Sequence, residues 1–213
     1  MINEQIKSRK RVSDFGEVYT NDREIEAMIA LVAKKAYKVE ATFLEPSCGN
    51  GNFLIAILKR KMKTVVEQFY DNKLKFEIYT LVAVSSIYGI DIQDDNIKES
   101  RNRIVCSVVN IIKEVFKDEP SNGLLKSIEF VLNKNILCGD FLSCTLANGD
   151  PIVLSEWKLT DNYFFRRKDF LLEHSVCNEI HDIQSDYIYY KWFKDIYFEG
   201  KEDTILGGKR KIS

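Results

Sequence analysis

Thr42-Phe43-Leu44-Glu45-Pro46-Ser47-Cys48-Gly49-Asn50-Gly51-Asn52-Phe53 is the stretch that decides how the chain is read. The strand-like run Ala41 to Leu44 ends in an acid and a proline, and a turn of small residues follows. From Asn52 onward the apolar residues fall at Phe53, Leu54, Ile57, Leu58, Met62, Val65, Val66 and Phe69, the spacing of one helical face. Strand, tight turn and helix are therefore predicted. Gly49 and Gly51 leave the backbone bare at the reversal, so a ligand can approach the main chain and the N–H groups of the helix start. Two glycines beside a helix also make an ordinary turn, and spacing alone leaves both readings open.

A dinucleotide fingerprint fits poorly. It asks for a third small residue where Leu54 stands and an acid about 20 positions on. The next strand ending in an acid is Ile87-Tyr88-Gly89-Ile90-Asp91, farther along the chain. The phrase from Leu44 to Phe53 instead resembles motif I of adenine-specific DNA methyltransferases of restriction-modification systems, which bind S-adenosylmethionine (SAM). That resemblance implies an α/β, Rossmann-like SAM-dependent methyltransferase fold. It also places Glu45, Pro46, Cys48, Gly49, Gly51, Asn52 and Phe53 around the cofactor.

Composition sets the outer bounds. A chain of 213 residues with 45% hydrophobic and 30% charged residues has the size and make-up of one ordinary soluble domain. There is no run of 18 apolar residues, and Met1-Ile2-Asn3-Glu4-Gln5-Ile6-Lys7 does not read as a signal peptide, so the expectation is a cytoplasmic protein with no membrane span. Five scattered cysteines without a Cys-x-x-Cys, and two histidines, support neither a disulfide framework nor a zinc site, and no metal is expected. A net charge of -1 gives no global pull towards nucleic acid.

The resemblance extends on both sides of the glycine turn. Gly16-Glu17-Val18-Tyr19-Thr20 resembles the family's N-terminal cofactor segment, which implies that Tyr19 and Thr20 meet the methionine part of SAM. The proline usual after Thr is Asn21 here, and Thr20 or Asn21 also suits the N-cap of a helix carrying Ile25, Met28, Ile29, Val32 and Ala36. Asp91, at the carboxyl end of its strand and followed by Ile92, faces the ligand crevice of an open α/β sheet, where a carboxylate can accept both ribose hydroxyls; a helix cap is the plainer alternative. Asn135 to Leu142 resembles the third cofactor element, which implies that Asp140, beside Phe141, meets the adenine amino group. A strand-end turn is the alternative there.

Several charged stretches read as surface. Lys7 to Arg11 suits a solvated helix end or a phosphate contact, and Lys59, Arg60, Lys61 and Lys63 suit the outer face of the long helix. Phe76 to Ile87 fits helix or strand. Asn96 to Phe116 and Leu124 to Leu132 read as helices.

The base-handling half is where the family pattern fails. An adenine amine is a weak nucleophile inside a duplex, so an enzyme flips the base out, stacks it and accepts hydrogen bonds from the amine. The family does this with Asn, Asp or Ser followed by Pro-Pro-aromatic, yet Pro46, Pro120 and Pro151 are the only prolines and none adjoins another. Laid over the pattern, Ser155 takes the first position and Trp157 the stacking role, as candidate catalytic residues. Alternatively Asp150 to Lys158 pairs through Thr160-Asp161-Asn162 with Tyr163 to Lys168 as a hairpin, with Arg166, Arg167 and Lys168 as phosphate contacts or edge-strand charges.

Residues 1–175 are thus expected to form a SAM-binding methyltransferase-like domain, truncated at the C-terminal side of the sheet, and 176–213 an aromatic-rich extension. In the extension Tyr187, Tyr189, Tyr190, Trp192, Phe193, Tyr197 and Phe198 suit docking on the chain's own sheet or a partner interface. The implied function is an adenine-specific DNA methyltransferase, or the modification subunit of one, acting on DNA with a second subunit: a specificity subunit, an endonuclease or a complementary methyltransferase half. The alternative is a non-catalytic SAM-binding or partner-binding module.

Overall fold

The computed structural model describes residues 7–15, 17–161, 163–172 and 188–191. Three helices come first: α1 (Arg9–Phe15), α2 (Asp22–Leu31) and α3 (Ala33–Ala36). Then β1 (Phe43–Glu45) leads into α4 (Asn52–Phe69), α5 (Lys73–Ser85) and β2 (Ile87–Asp91), and α6 (Asp94–Phe116) and α7 (Asn122–Asn135) lead to β3 (Ile136–Asp140) and the short β4 (Thr145–Leu146). A hairpin, β5 (Val153–Leu159) and β6 (Phe164–Leu171), follows, with β7 (Ile188–Lys191) beside it.

The result is a mixed α/β protein. Its first sheet runs β1-β2-β3-β4, parallel through the first three strands and antiparallel at the last. Parallel neighbours need crossovers, which α4–α5 and α6–α7 supply. The stretch that fitted helix or strand divides between α5 and β2. Asn72 caps α5 by accepting from the Lys75 amide, and 13 residues exceed a usual strand.

Side chains alternate across the parallel strands and separate two cores. Phe43, Ile87 and Ile136 pack among α4 to α7, while Leu44, Tyr88, Ile90 and Leu137 pack on Ile152, Leu154 and Leu172. The hairpin packs on both cores, Leu154 and Phe170 joining the second and Phe165, Trp157 and Leu159 the first beside α5 and α7, and it does not extend the sheet beside β1. Among the described residues β1 pairs only with β2.

Two charged stretches differ from expectation. Lys61 is fully buried on α4, one turn from Ile57 and one from Val65, and its ammonium donates to the carbonyls of Lys38, Val39 and Ala41 at 3.1, 2.9 and 2.5 Å. Arg167 is 2% exposed because β6 is the centre of the β5-β6-β7 sheet, not its edge; its guanidinium lies 5.9 Å from the Trp157 ring centre and 3.1 Å from Asp169. In the aromatic extension, Tyr189 and Tyr190 fall on β7 opposite Arg166 and Phe165, whereas Tyr187, Trp192, Phe193, Tyr197 and Phe198 lie outside the described residues. Among the described residues no helix is long and apolar enough to cross a membrane.

Candidate functional site

The glycine turn is fastened from three sides. Cys48 donates its amide to the Ile90 carbonyl of β2 at 2.9 Å, and Gly51 donates to Cys48 at 2.9 Å. From α6, Arg103 donates to the Asn50 carbonyl at 2.7 Å, and Glu99 accepts the Asn50 side-chain amide at 3.1 Å. Gly51 has φ of 88°, and a Cβ there would stand 2.4 Å from Ser100 Oγ. Only glycine meets both demands.

Asp91, 8% exposed, is the third fastener. One carboxylate oxygen accepts the Gly49 amide at 2.9 Å; the other accepts the Gln93 amide at 2.9 Å and the Asn96 side chain at 3.3 Å. The helix-start role and the glycine-turn role are thus combined in one side chain. A carboxylate has about four acceptor sites, so about one remains for a ligand hydroxyl, not the two a ribose pair asks for.

Close packing of helix on strand is achieved from the strand. A Cβ on Gly89 would lie 2.8 Å from Leu54 Cδ1 and 2.9 Å from Cys48 Sγ. The glycine missing at position 54 is supplied, in effect, at position 89.

The N-terminal segment lies over this turn. The Tyr19 ring sits where a Cβ on Gly49 would meet it at 3.4 Å, and its hydroxyl donates to Asn96 Oδ1 at 3.1 Å. Burial, with Glu17 nearby, pushes the Tyr19 phenol up to about 12, so it stays a donor. Lys7 donates to the same Asn96 oxygen at 2.9 Å and to Asp95 at 3.1 Å, and pairs with Glu99 at 2.8 Å. Arg11 grips Asp95 with two nitrogens, at 2.6 and 2.9 Å. Those bonds hold the Asp95 carboxyl well below its usual range. Lys7 and Arg11 are therefore tied within the protein, neither solvated helix end nor open phosphate contact.

Between this segment and the turn lies an open cleft of about 160 Å³. Tyr19, Thr20, Glu45, Cys48, Gly49, Asn52, Phe53, Asp91 and Ile92, nine of the predicted cofactor residues, line it. Its charged lining residues are Glu17, Glu45 and Asp91, with no Lys, Arg or His among the described residues. Burial raises the Glu45 carboxyl, against a hydrogen bond from the Ser47 backbone. Burial, reinforced by Asp91 and Glu45, also raises the Cys48 thiol, so this sulfur stays protonated and is no nucleophile.

The other predicted residues stand elsewhere. Pro46 and Gly51 belong to the turn without lining the cleft. Asp140 accepts the Leu142 amide at 2.9 Å, a strand-end turn, and Phe141 packs in the second core. Neither lines the cleft. Ser155 is 1% exposed and donates to Asp169 at 2.6 Å; Trp157 donates to the buried Asn135 at 3.2 Å and meets Phe130 edge-on. Ser155 is spent on the bond across the hairpin and Trp157 on holding the hairpin against α7, because β5 pairs with β6 instead of standing beside β1. Comparisons with protein-family models, curated proteins and solved structures find no match for this chain.

Sequence reading did not single out Glu17, Asn50, Gly89, Asn96 or Glu99. Two signals were available: an acid two positions before Tyr19, and the i, i+4 acids Asp95 and Glu99 opposite the basic stretch. Nothing local marks Asn96, since its role depends on the fold bringing Tyr19 and Asp91 to its two ends. Among the described residues no group of three or more His, Cys, Asp or Glu side chains is placed to hold a metal ion.

Proposed function

We propose that the chain binds SAM in this cleft, with a Rossmann-like methyltransferase arrangement of β1 to β3, and serves as the cofactor-binding subunit of an adenine-specific DNA methyltransferase. The observation that carries the proposal is a bare glycine turn beside a cleft lined by Glu17, Glu45 and Asp91 and by no basic side chain among the described residues. SAM carries a sulfonium and an ammonium against one carboxylate, so its net charge suits an acidic lining in which, among the described residues, Glu17 alone is paired with a cation, Arg11. A pyrophosphate meets repulsion in the same place. With Gly89 providing the close packing, this charge, and not Leu54, argues against a dinucleotide.

In this reading the glycine turn faces the amino-acid part of SAM, Asp91 receives one ribose hydroxyl through its remaining acceptor site, and Ile92, 49% exposed at the mouth, covers the adenine. The chemistry on DNA is assigned to a partner. Ser155 and Trp157 are engaged inside the fold, and Lys7 and Arg11 are neutralised, so the described residues offer neither a stacking platform nor a phosphate grip beside the cleft. The same facts favour a second reading, a SAM-binding module without catalysis.

Transfer of labelled methyl from SAM to mixed-sequence duplex DNA separates them. The chain alone should transfer little. With the product of an adjacent specificity, endonuclease or methyltransferase gene, sequence-specific labelling supports the first reading, and SAM binding without labelling in any such mixture supports the second.

A further inference from the structure

We infer that α1 and Glu17 to Thr20 form a hinged strap, latched across the cleft by ion pairs to the start of α6, that unlatches to admit the ligand. That the ligand is SAM rests on the reading of the cleft given above. The size of the cleft supplies the first reason. At about 160 Å³ it is smaller than the roughly 300 to 1,000 Å³ of pockets that hold a molecule of cofactor size, so a wall must yield. Glu17, Val18, Tyr19 and Thr20 make one wall. The facing residues belong to β1, β2 and the first turns of α4 and α6, elements packed into the two cores.

How the strap is held supplies the second. From Arg9 to Asp14 no residue is buried, so apolar packing does not anchor α1 there, and a helix of seven residues is not stable by itself. Among the described residues, every hydrogen bond and ion pair from Lys7 to Tyr19 to the chain beyond Thr20 ends on Asp95, Asn96 or Glu99. Glu17 pairs with Arg11, inside the strap, and travels with it. Thr20 is the fixed end: its carbonyl accepts from the Asn52 side chain at 3.3 Å, and Asn21 caps α2. A segment tied by charge at one end and continuous with a packed helix at the other can swing about the second. The Asp95 and Glu99 side chains are 56% and 37% exposed, so salt screens the latch and one substitution loosens it.

The test compares the full chain with Asp95→Asn and with Asp94→Asn. The second makes the same charge change in the same first turn of α6, but Asp94 pairs with Lys98, outside the strap. Hydrogen exchange of the α1 amides reads the latch without ligand, and the association rate of SAM reads the opening. Asp95→Asn should speed both by about 3- to 10-fold, the range for losing two exposed ion pairs of one network, while Asp94→Asn leaves both within about twofold of the wild type. Removing an acid weakens the attraction for a cationic ligand, so electrostatic steering cannot account for faster association. If α1 exchange is unchanged in Asp95→Asn, or SAM associates no faster than with Asp94→Asn, the strap is overturned and the cofactor site stands. A wild-type chain that takes up no SAM overturns the cofactor reading and the strap as its gate.

Discussion

The carboxylate of Asp91 accepts the Gly49 amide hydrogen at 2.9 Å, so the acid that ends β2 braces the turn that follows β1. Fold and ligand site are coupled at this bond. Removing it strands the buried ends of three hydrogen bonds, and the Gly49 amide loses a charged partner. Asp91→Ala should lower unfolding free energy by about 1.5 to 3 kcal/mol and weaken SAM binding in parallel. Urea unfolding checks the first part. A variant as stable as the wild type would remove Asp91 from the brace and leave it a plain ligand residue.

Gly51 and Gly149 provide an internally controlled comparison. Both have left-handed backbones, with φ of 88° and 87°, but a Cβ on Gly51 meets Ser100 Oγ at 2.4 Å whereas one on Gly149 meets nothing within 4 Å. Gly149→Ala should cost about 1 kcal/mol, the strain of a non-glycine residue in that region. Gly51→Ala should cost about 1 to 3 kcal/mol more, from overpacking against α6. Equal losses in parallel denaturation curves would show that the turn does not press on the helix.

Buried Lys61 gives stability a pH signature. Burial pushes its ammonium down to about 7, with Glu40 acting the other way, while three carbonyls satisfy the protonated form. The folded value lies below the unfolded one of about 10.4. Between the two, the unfolded chain holds more protons than the folded chain, so the Lys61 contribution to stability rises with pH. Below pH 7 both states are protonated and the contribution is flat. Unfolding free energies of wild type and Lys61→Met, compared at intervals from pH 6 to 10, should diverge in favour of the wild type above pH 7. A constant difference would mean that the ammonium keeps its ordinary value in the fold.

How much of this was legible in the sequence depends on how local each signal is. The glycine turn, the helix that follows it and the acid ending β2 each carry their own pattern, and the structure brings them to one cleft. Lys61 was legible too, since it occupies an i, i+4 position between Ile57 and Val65, but the neighbouring Lys59, Arg60 and Lys63 mask it as one more outer charge. The partnership of Lys7 and Arg11 with Asp95 and Glu99 spans more than 80 residues, and no periodicity reports such a distance. Ser155 and Trp157 show the opposite failure. Their strand was read from its apolar pattern, but which strand it pairs with is decided by the hairpin turn and by the packing of that hairpin on α5 and α7, which periodicity does not encode.

Trp157 and Ser155 should accordingly behave as structural residues. Trp157→Phe deprives the fully buried Asn135 of its donor and should cost about 1 to 3 kcal/mol, while SAM affinity stays at the wild-type level. Ser155→Ala should act in the same direction through Asp169. Loss of methyl transfer in a partner-reconstituted assay, with stability and SAM binding intact, would return both to catalysis.

The central claim is that the carboxylate-lined cleft holds SAM, and thermal unfolding with and without the cofactor tests it most directly. At a concentration 100 times Kd, binding to the folded state alone adds about 2.7 kcal/mol. For a chain of this size that is a rise in Tm of roughly 5 to 10 °C. SAM should produce such a rise, and NAD at the same concentration a much smaller one. An unchanged Tm in millimolar SAM, or an equal rise with NAD, would contradict the claim.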